Sequence, residues 1–354
     1  MAVLFAEVPQ FYALVERADD PALARRPVLV GGDPRKRGLV QAATPDALAA
    51  GVRLDMPVAE ALALCPRARA LPTDMRRYRE VSRRLFARLR EAFARLEPSG
   101  LGAAYAALPA VGPEQGERFR ELAAGIRDEL GLPLRAGIAS GKFLARLAAS
   151  HAEAGELRRV PAGEEASFLG PLPVSELEGV GQKTAALLAE LGARHISDLV
   201  ALGREPLEQA LGNHGLRIFA LACGRDDVPV RAAAHSQSLS REVRIDAAVA
   251  GDAAQLAEVV HDLARRLEEE LRVQRLVASK LVVKLRFADG MPASRSLTLA
   301  APAAAAAELS RIALELVERG GGAARPLRGL GIQLAKLSPA ADRDRQLPLF
   351  QTTS

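Results

Sequence analysis

Hydrophobic positions along this 354-residue chain fall into short, separable patterns. Val3-Leu4-Phe5-Ala6 is an apolar run of the length expected for a buried strand. Residues 11–16 predict a helix, and residues 27–32 predict a second strand closed by Gly31-Gly32. A long helix is expected over 74–96. Its apolar positions Met75, Tyr78, Val81, Leu85, Leu89, Phe93 and Leu96 recur every three or four residues and share one face. Arg76, Arg77, Arg83, Arg84, Arg88 and Arg90 fall mostly off that face and read as solvated surface. Towards the C-terminus the period changes. Residues 238–245 predict a strand, and 252–272 predict a helix on Leu256, Val259, Leu263, Leu267 and Leu271. Over 279–287, Leu281, Val283, Leu285 and Phe287 alternate with Lys280, Lys284 and Arg286, the pattern of a half-buried strand. Arg295 to Leu299 is expected to pair with it across Asp289-Gly290. Pro302 is expected to open a helix reaching Arg319, and residues 330–337 predict a last strand. The order is β-α-β-β-α-β, the split βαβ arrangement.

Composition places the chain among soluble globular proteins, with 49% hydrophobic and 26% charged residues. Its length predicts two to four domains. The net charge of +5 is unevenly spread: residues 231–340 hold 16 basic and 12 acidic residues, a surplus of four. A basic C-terminal domain points to a polyanionic partner. Cys65 and Cys223 match no metal spacing, so reduced thiols in a cytoplasmic setting are expected. The sequence contains neither a signal peptide nor an apolar run of about 18 residues, so a membrane span is not expected.

Residues 173–224 carry the sharpest local motif. Leu177-Glu178-Gly179-Val180-Gly181-Gln182-Lys183-Thr184 is a helix-hairpin-helix turn, with a weaker second copy at Leu211-Gly212-Asn213-His214-Gly215. The glycines permit the tight turn. Amides at the second helix's N-terminus can face a phosphate, with Lys183 beside them. Such contacts position DNA without reading its sequence. The expected phosphate contacts are Gly179, Gly181, Lys183 and Thr184 in the hairpin, and Arg241, Lys280, Lys284, Arg286 and Arg295 on the strands.

Taken in order, these segments resemble the Y-family, DinB-like translesion DNA polymerases. The matching words are Phe11-Tyr12-Ala13-Leu14-Val15-Glu16; Arg26-Pro27-Val28-Leu29-Val30-Gly31-Gly32; Gly51-Val52-Arg53 with Met56-Pro57; Ala61-Leu62 to Cys65-Pro66; and Ala136-Gly137-Ile138-Ala139 followed by Lys142-Phe143-Leu144-Ala145-Arg146. The resemblance implies a multidomain α+β fold, a right-hand polymerase with palm, fingers, thumb and little finger. It places the palm at 1–10 and 74–165, the fingers at 11–73 and the helix-hairpin-helix thumb at 166–230. The β-α-β-β-α-β little finger follows at 231–340, and a flexible tail at 341–354.

Departures from the family are concentrated in the palm. The resemblance implies carboxylates holding two Mg²⁺ ions. At those positions stand Glu7, then Pro9, then Gly102 and Ala103. The family's triphosphate-binding Tyr and Arg align with Pro45 and Leu48. Of the nucleotide pocket, Tyr12 and Lys142 remain, with Tyr12 expected to pack on the palm and Lys142 to pair with an acid. The substitutions resemble the ImuB-type branch. The main expectation is therefore a non-enzymatic, clamp- and DNA-binding adaptor that needs no cofactor and supports a separate lesion-bypass polymerase. The alternatives are an active, atypical translesion polymerase using Mg²⁺ and a DNA-structure-binding protein without a clamp role.

Gln346-Leu347-Pro348-Leu349-Phe350 follows a charged stretch near the end of the sequence. Leu347, Leu349 and Phe350 are expected to be exposed, and Pro348 favours an extended shape. The pentapeptide resembles the motif by which bacterial polymerases and repair proteins hold the sliding clamp, with Gln346 as polar anchor. A clamp- and DNA-bound protein is expected to be cytoplasmic and nucleoid-associated.

Overall fold

The computed structural model describes residues 2–109, 112, 114–231, 238–245, 252–322 and 325–340. The chain divides into two compact units, 1–232 and 233–354. The first opens with β1 (Ala2–Glu7), α1 (Phe11–Asp19), β2 (Val28–Gly31), β3 (Val40–Ala43), α2 (Pro45–Ala49), α3 (Val58–Leu64) and β4 (Arg69–Pro72). It continues through α4 (Met75–Ala92), β5 (Leu96–Pro98), β6 (Ala103–Leu108), α5 (Gln115–Leu130), β7 (Arg135–Ala139), α6 (Lys142–Ser150), β8 (Leu157–Arg159) and α7 (Glu165–Leu169). It ends in α8 (Gln182–Glu190), α9 (Ile196–Leu202), α10 (Arg204–Leu211) and α11 (Asn213–Ala222).

A five-stranded sheet, β5-β6-β1-β7-β8, organises this unit. Its central strand β1 is apolar from Ala2 to Ala6 because both faces are covered, and Glu7 closes it. Leu4 and Ala6 join one buried cluster with α1, α4 and α5, and Val3 and Phe5 join another with α6 and α8 to α11. A separate three-stranded sheet, β3-β2-β4, packs its own small core around Leu29, Val40, Val52, Met56, Ala61 and Cys65. α4 begins where the Asp74 side chain accepts from the Arg76 and Arg77 amides. It stops at Ala92, not at residue 96. Phe93 is extended, and Leu96 pairs with Ala106 as sheet edge. The apolar period continues past Ala92 only because both elements face the same core.

The second unit is β9 (Ser238–Arg244), α12 (Ala253–Gln274), β10 (Leu276–Phe287), β11 (Pro292–Ala303), α13 (Ala306–Arg319) and β12 (Leu327–Pro339). The expected order of elements is found. The sheet order is β11-β10-β12-β9, and every pairing is antiparallel. Leu281, Val283, Leu285 and Phe287 are buried beneath α12 and α13. Pro302 does not open the helix: it lies inside β11, and α13 starts at Ala306, whose amide donates to Glu268 Oε1. β11 is an edge strand, where a missing N–H is tolerated. Among the described residues, no helix is long and apolar enough to cross a membrane.

Candidate functional site

Backbone pairing assembles the palm centre. Glu7 closes β1 and is flanked in register by Ala103 on β6 and Arg135 on β7. The Val8 amide donates to Gly102 O at 2.8 Å, which draws Gly102 to the same end of the sheet. Arg135 donates from Nε (2.9 Å) and Nη2 (2.7 Å) to Glu7 Oε1, and from Nη1 to Ser150 O. On the other side, a side chain at Gly102 would meet Phe11, whose Cβ and ring lie 2.7–2.8 Å from where a Cβ would stand. Glu7 is the only carboxylate among Glu7, Pro9, Gly102 and Ala103, and Arg135 already engages it. Mg²⁺ requires several oxygen ligands in octahedral geometry. The described residues contain no group of three or more His, Cys, Asp or Glu able to hold a metal ion. The residues of this palm do not fit a two-ion site.

The expected nucleotide-pocket residues have protein partners. Tyr12 stacks on Tyr78 with centroids 4.5 Å apart. Tyr78 donates to Glu16 Oε1 at 2.7 Å, and Arg77 Nη1 donates to Glu16 Oε2 at 3.0 Å. Burial, and then the bond to Glu16, push the Tyr78 phenol well above its ordinary value. Lys142 pairs with Glu97 at 2.7 Å, and the Arg231 amide donates to the same Glu97 oxygen. Asp226 Oδ2 caps α6 at the Phe143 amide, so the segment leaving the first unit is fastened to the palm at two points. A cleft of about 260 Å³ is lined by Gln10, Phe11, Tyr12, Gln41, Ala42, Leu54, Leu101 and Gly102. None of these is charged. Pro45 opens α2 and Leu48 lies within it.

The hairpin turn is built on Leu177 and Val180, both buried, with Gly179 at φ +89°. Only the short 3₁₀ turn Val174–Glu176 precedes it, in place of a full first helix. Gly181 and Lys183 are exposed, Thr184 is half-buried, and no side chain caps α8. The weaker copy touches the first: His214 Nε2 lies 3.1 Å from Gly179 O.

Strand register sorts the C-terminal cations. Lys280, Lys284 and Arg286 share one face of β10, opposite the buried apolar residues. Arg241 and Arg295 lie on the other face. Arg241 pairs in register with buried Ile332, and its guanidinium reaches Glu270 of α12 at 2.7 Å. Arg295 pairs with buried Val283 and donates to Arg319 O at the end of α13. Register therefore sets both apart from the outward face of β10 that carries Lys280, Lys284 and Arg286. The sequence reading also missed Arg244 and Arg328, which line a cleft with Lys284 and Arg286, and Glu242, which lies over Gly331 between those two cations. Period-two alternation along β9 was the available signal for Glu242 and Arg244. Residues 346–350 lie outside the described residues.

Residues 7–150 match the impB/mucB/samB family, and residues 236–349 match that family's C-terminal domain. A protein of Halorhodospira halophila named DNA polymerase IV is 34% identical, with 98% of each chain covered. DNA polymerase IV of Alkalilimnicola ehrlichii is 32% identical over 98% of this chain and 99% of that one. The solved insertion ternary complex of Dbh DNA polymerase superposes with a TM-score of 0.77 at 21% identity, covering 96% of this chain and all of that one. DinB from Sulfolobus solfataricus gives 0.73 at 21% identity, covering 95% and 98%. These structures establish the α+β polymerase fold. The relatives overturn the expectation of a non-enzyme: proteins named as polymerases match nearly the whole chain, and an enzyme is the indicated class. The non-enzyme expectation had rested on Glu7, Pro9, Gly102 and Ala103 at the metal positions and on Pro45 and Leu48 at the triphosphate positions; relation to named polymerases over 98% of the chain overrides it. By relation along nearly its entire length, this chain belongs to the impB/mucB/samB family, the DinB-like Y-family DNA polymerases.

Proposed function

We propose that this protein is a translesion DNA polymerase of atypical palm, acting on primer–template DNA. Its relation to proteins named DNA polymerase IV over 98% of its length carries the reading. The exposed turn at Gly181 and Lys183 and the outward face of β10 supply cations and amides for a sequence-independent grip on the phosphate backbone. Primer extension with deoxynucleotides in Mg²⁺ and in Mn²⁺ tests the activity. Template-dependent extension is the expected result. Binding of primer–template without extension in either ion would overturn it.

The substitutions at Pro9, Gly102 and Ala103, which resemble those of the ImuB-type branch, favour a second role in bringing a separate lesion-bypass polymerase to the damage. Residues Gln346, Leu347, Leu349 and Phe350 would tether the chain to the sliding clamp in either role. Both roles belong in the cytoplasm, at the nucleoid.

A further inference from the structure

The palm centre holds a cation of its own. Arg135 extends from β7 beside Glu7, and the two side chains are 23% and 22% exposed. A guanidinium carries five N–H donors. Three of Arg135's are used, two on Glu7 Oε1 and one on Ser150 O. The remaining two have no acceptor among the described residues. The pair to Glu7 keeps the guanidinium in place, and the Phe11 ring over Gly102 closes the neighbouring position. A fixed, partly exposed fork with two unused donors suits a phosphate, which accepts paired N–H bonds.

We propose that Arg135 is a nucleic-acid phosphate site, a built-in cation that holds a backbone phosphate of bound DNA at the palm without any divalent ion. Glu7 is its positioning residue. The site accounts for the misfit between this palm and a pair of Mg²⁺ ions: one fixed charge stands where ion ligands would have to converge. It rests on the reading that the chain engages primer–template DNA, and it does not depend on extension of the primer.

The test is the affinity of the full-length protein for a fluorescent primer–template duplex, measured with EDTA and with Mg²⁺ at matched ionic strength. Wild-type protein is expected to bind equally in both. Arg135→Ser is expected to weaken binding about tenfold in EDTA and to reduce the slope of log K against log salt by about 0.9, one phosphate contact. Glu7→Gln keeps the guanidinium but loosens the pair that positions it, and is expected to weaken binding only about twofold, well short of Arg135→Ser. Equal weakening in both variants would assign the pair a purely structural role and overturn the site. So would wild-type affinity in Arg135→Ser, or loss of wild-type binding when Mg²⁺ is chelated. Failure of wild type to bind primer–template under any condition would overturn both the site and the function it rests on. Normal binding with no extension strikes the polymerase activity alone.

Discussion

Glu16 is a buried carboxylate, 6% exposed, that keeps its place through two donors, the Tyr78 hydroxyl and the Arg77 guanidinium. A buried acid that loses a donor bears its full desolvation cost. Tyr78→Phe is therefore expected to destabilise the protein by about 1.5–3 kcal/mol, read from the urea midpoint, without changing DNA affinity. The pH dependence has a defined sign. The folded state raises the phenol above its ordinary 10.0, so folded protein keeps this proton longer than unfolded chain. The Tyr78 contribution is intact below about pH 10 and declines as pH rises beyond it. Tyr78→Phe should lack that alkaline decline, and equal decline in both proteins would refute the assignment. Tyr12 was legible at this scale as an aromatic that packs on the palm. Its partner was not, because 66 positions of sequence separate Tyr12 from Tyr78.

At the scale of elements, β10 was the most legible part of the chain. From Lys280 to Phe287 its two faces differ in every second residue and burial follows the alternation, whereas Leu276, Val277 and Ala278 are all buried. The outward face predicts a graded response. Lys280→Ala with Lys284→Ala should reduce the slope of log K against log salt by about 1.8, two phosphate contacts at 0.9 each. Glu242→Gln should act in the opposite direction, since that carboxylate lies 3.9 Å from Lys284 and 3.4 Å from Arg286. Tighter binding of about two- to fivefold is expected, the range of an exposed ion pair. Arg241→Ala should leave the slope unchanged, because its guanidinium lies against α12. An Arg241→Ala slope as reduced as that of the lysine pair would invalidate this division of the sheet. The boundaries of α4 and α13 were less legible. An apolar period cannot mark where a helix passes into a strand facing the same core, and Pro302 signals a helix start only where no sheet edge can take it.

For the whole molecule, relation extends across both units. The clamp tether is a proposal at this scale. Short peptides bind through a few buried anchors, and loss of a central anchor commonly costs about 2 kcal/mol or more. Linkage to DNA-binding units raises the local concentration of such a peptide and offsets a modest affinity. Leu349→Ala with Phe350→Ala is expected to abolish pull-down by the sliding clamp while leaving DNA affinity and the thermal midpoint unchanged. Retained clamp binding would sink the tether, and a lowered midpoint would show that these residues pack on their own domain.

Local chemistry in the sequence determined the strand at Val3 to Ala6, the hairpin glycines, the alternating faces of β10 and the order of elements in the second unit. Each depends on residues within one turn or one strand of each other, so periodicity and turn preference suffice to reveal it. The whole-chain resemblance determined the family, because its words recur in order from Phe11 to Arg146. Tertiary structure alone decided the palm. Glu7 and Arg135 are 128 residues apart in sequence, and only antiparallel pairing of β1 with β7 makes them neighbours. Phe11, the first residue of α1, covers Gly102, which immediately precedes β6. Register likewise took Arg241 and Arg295 off the basic face. A one-residue step in a strand reverses the side a charge occupies, and composition cannot record that step.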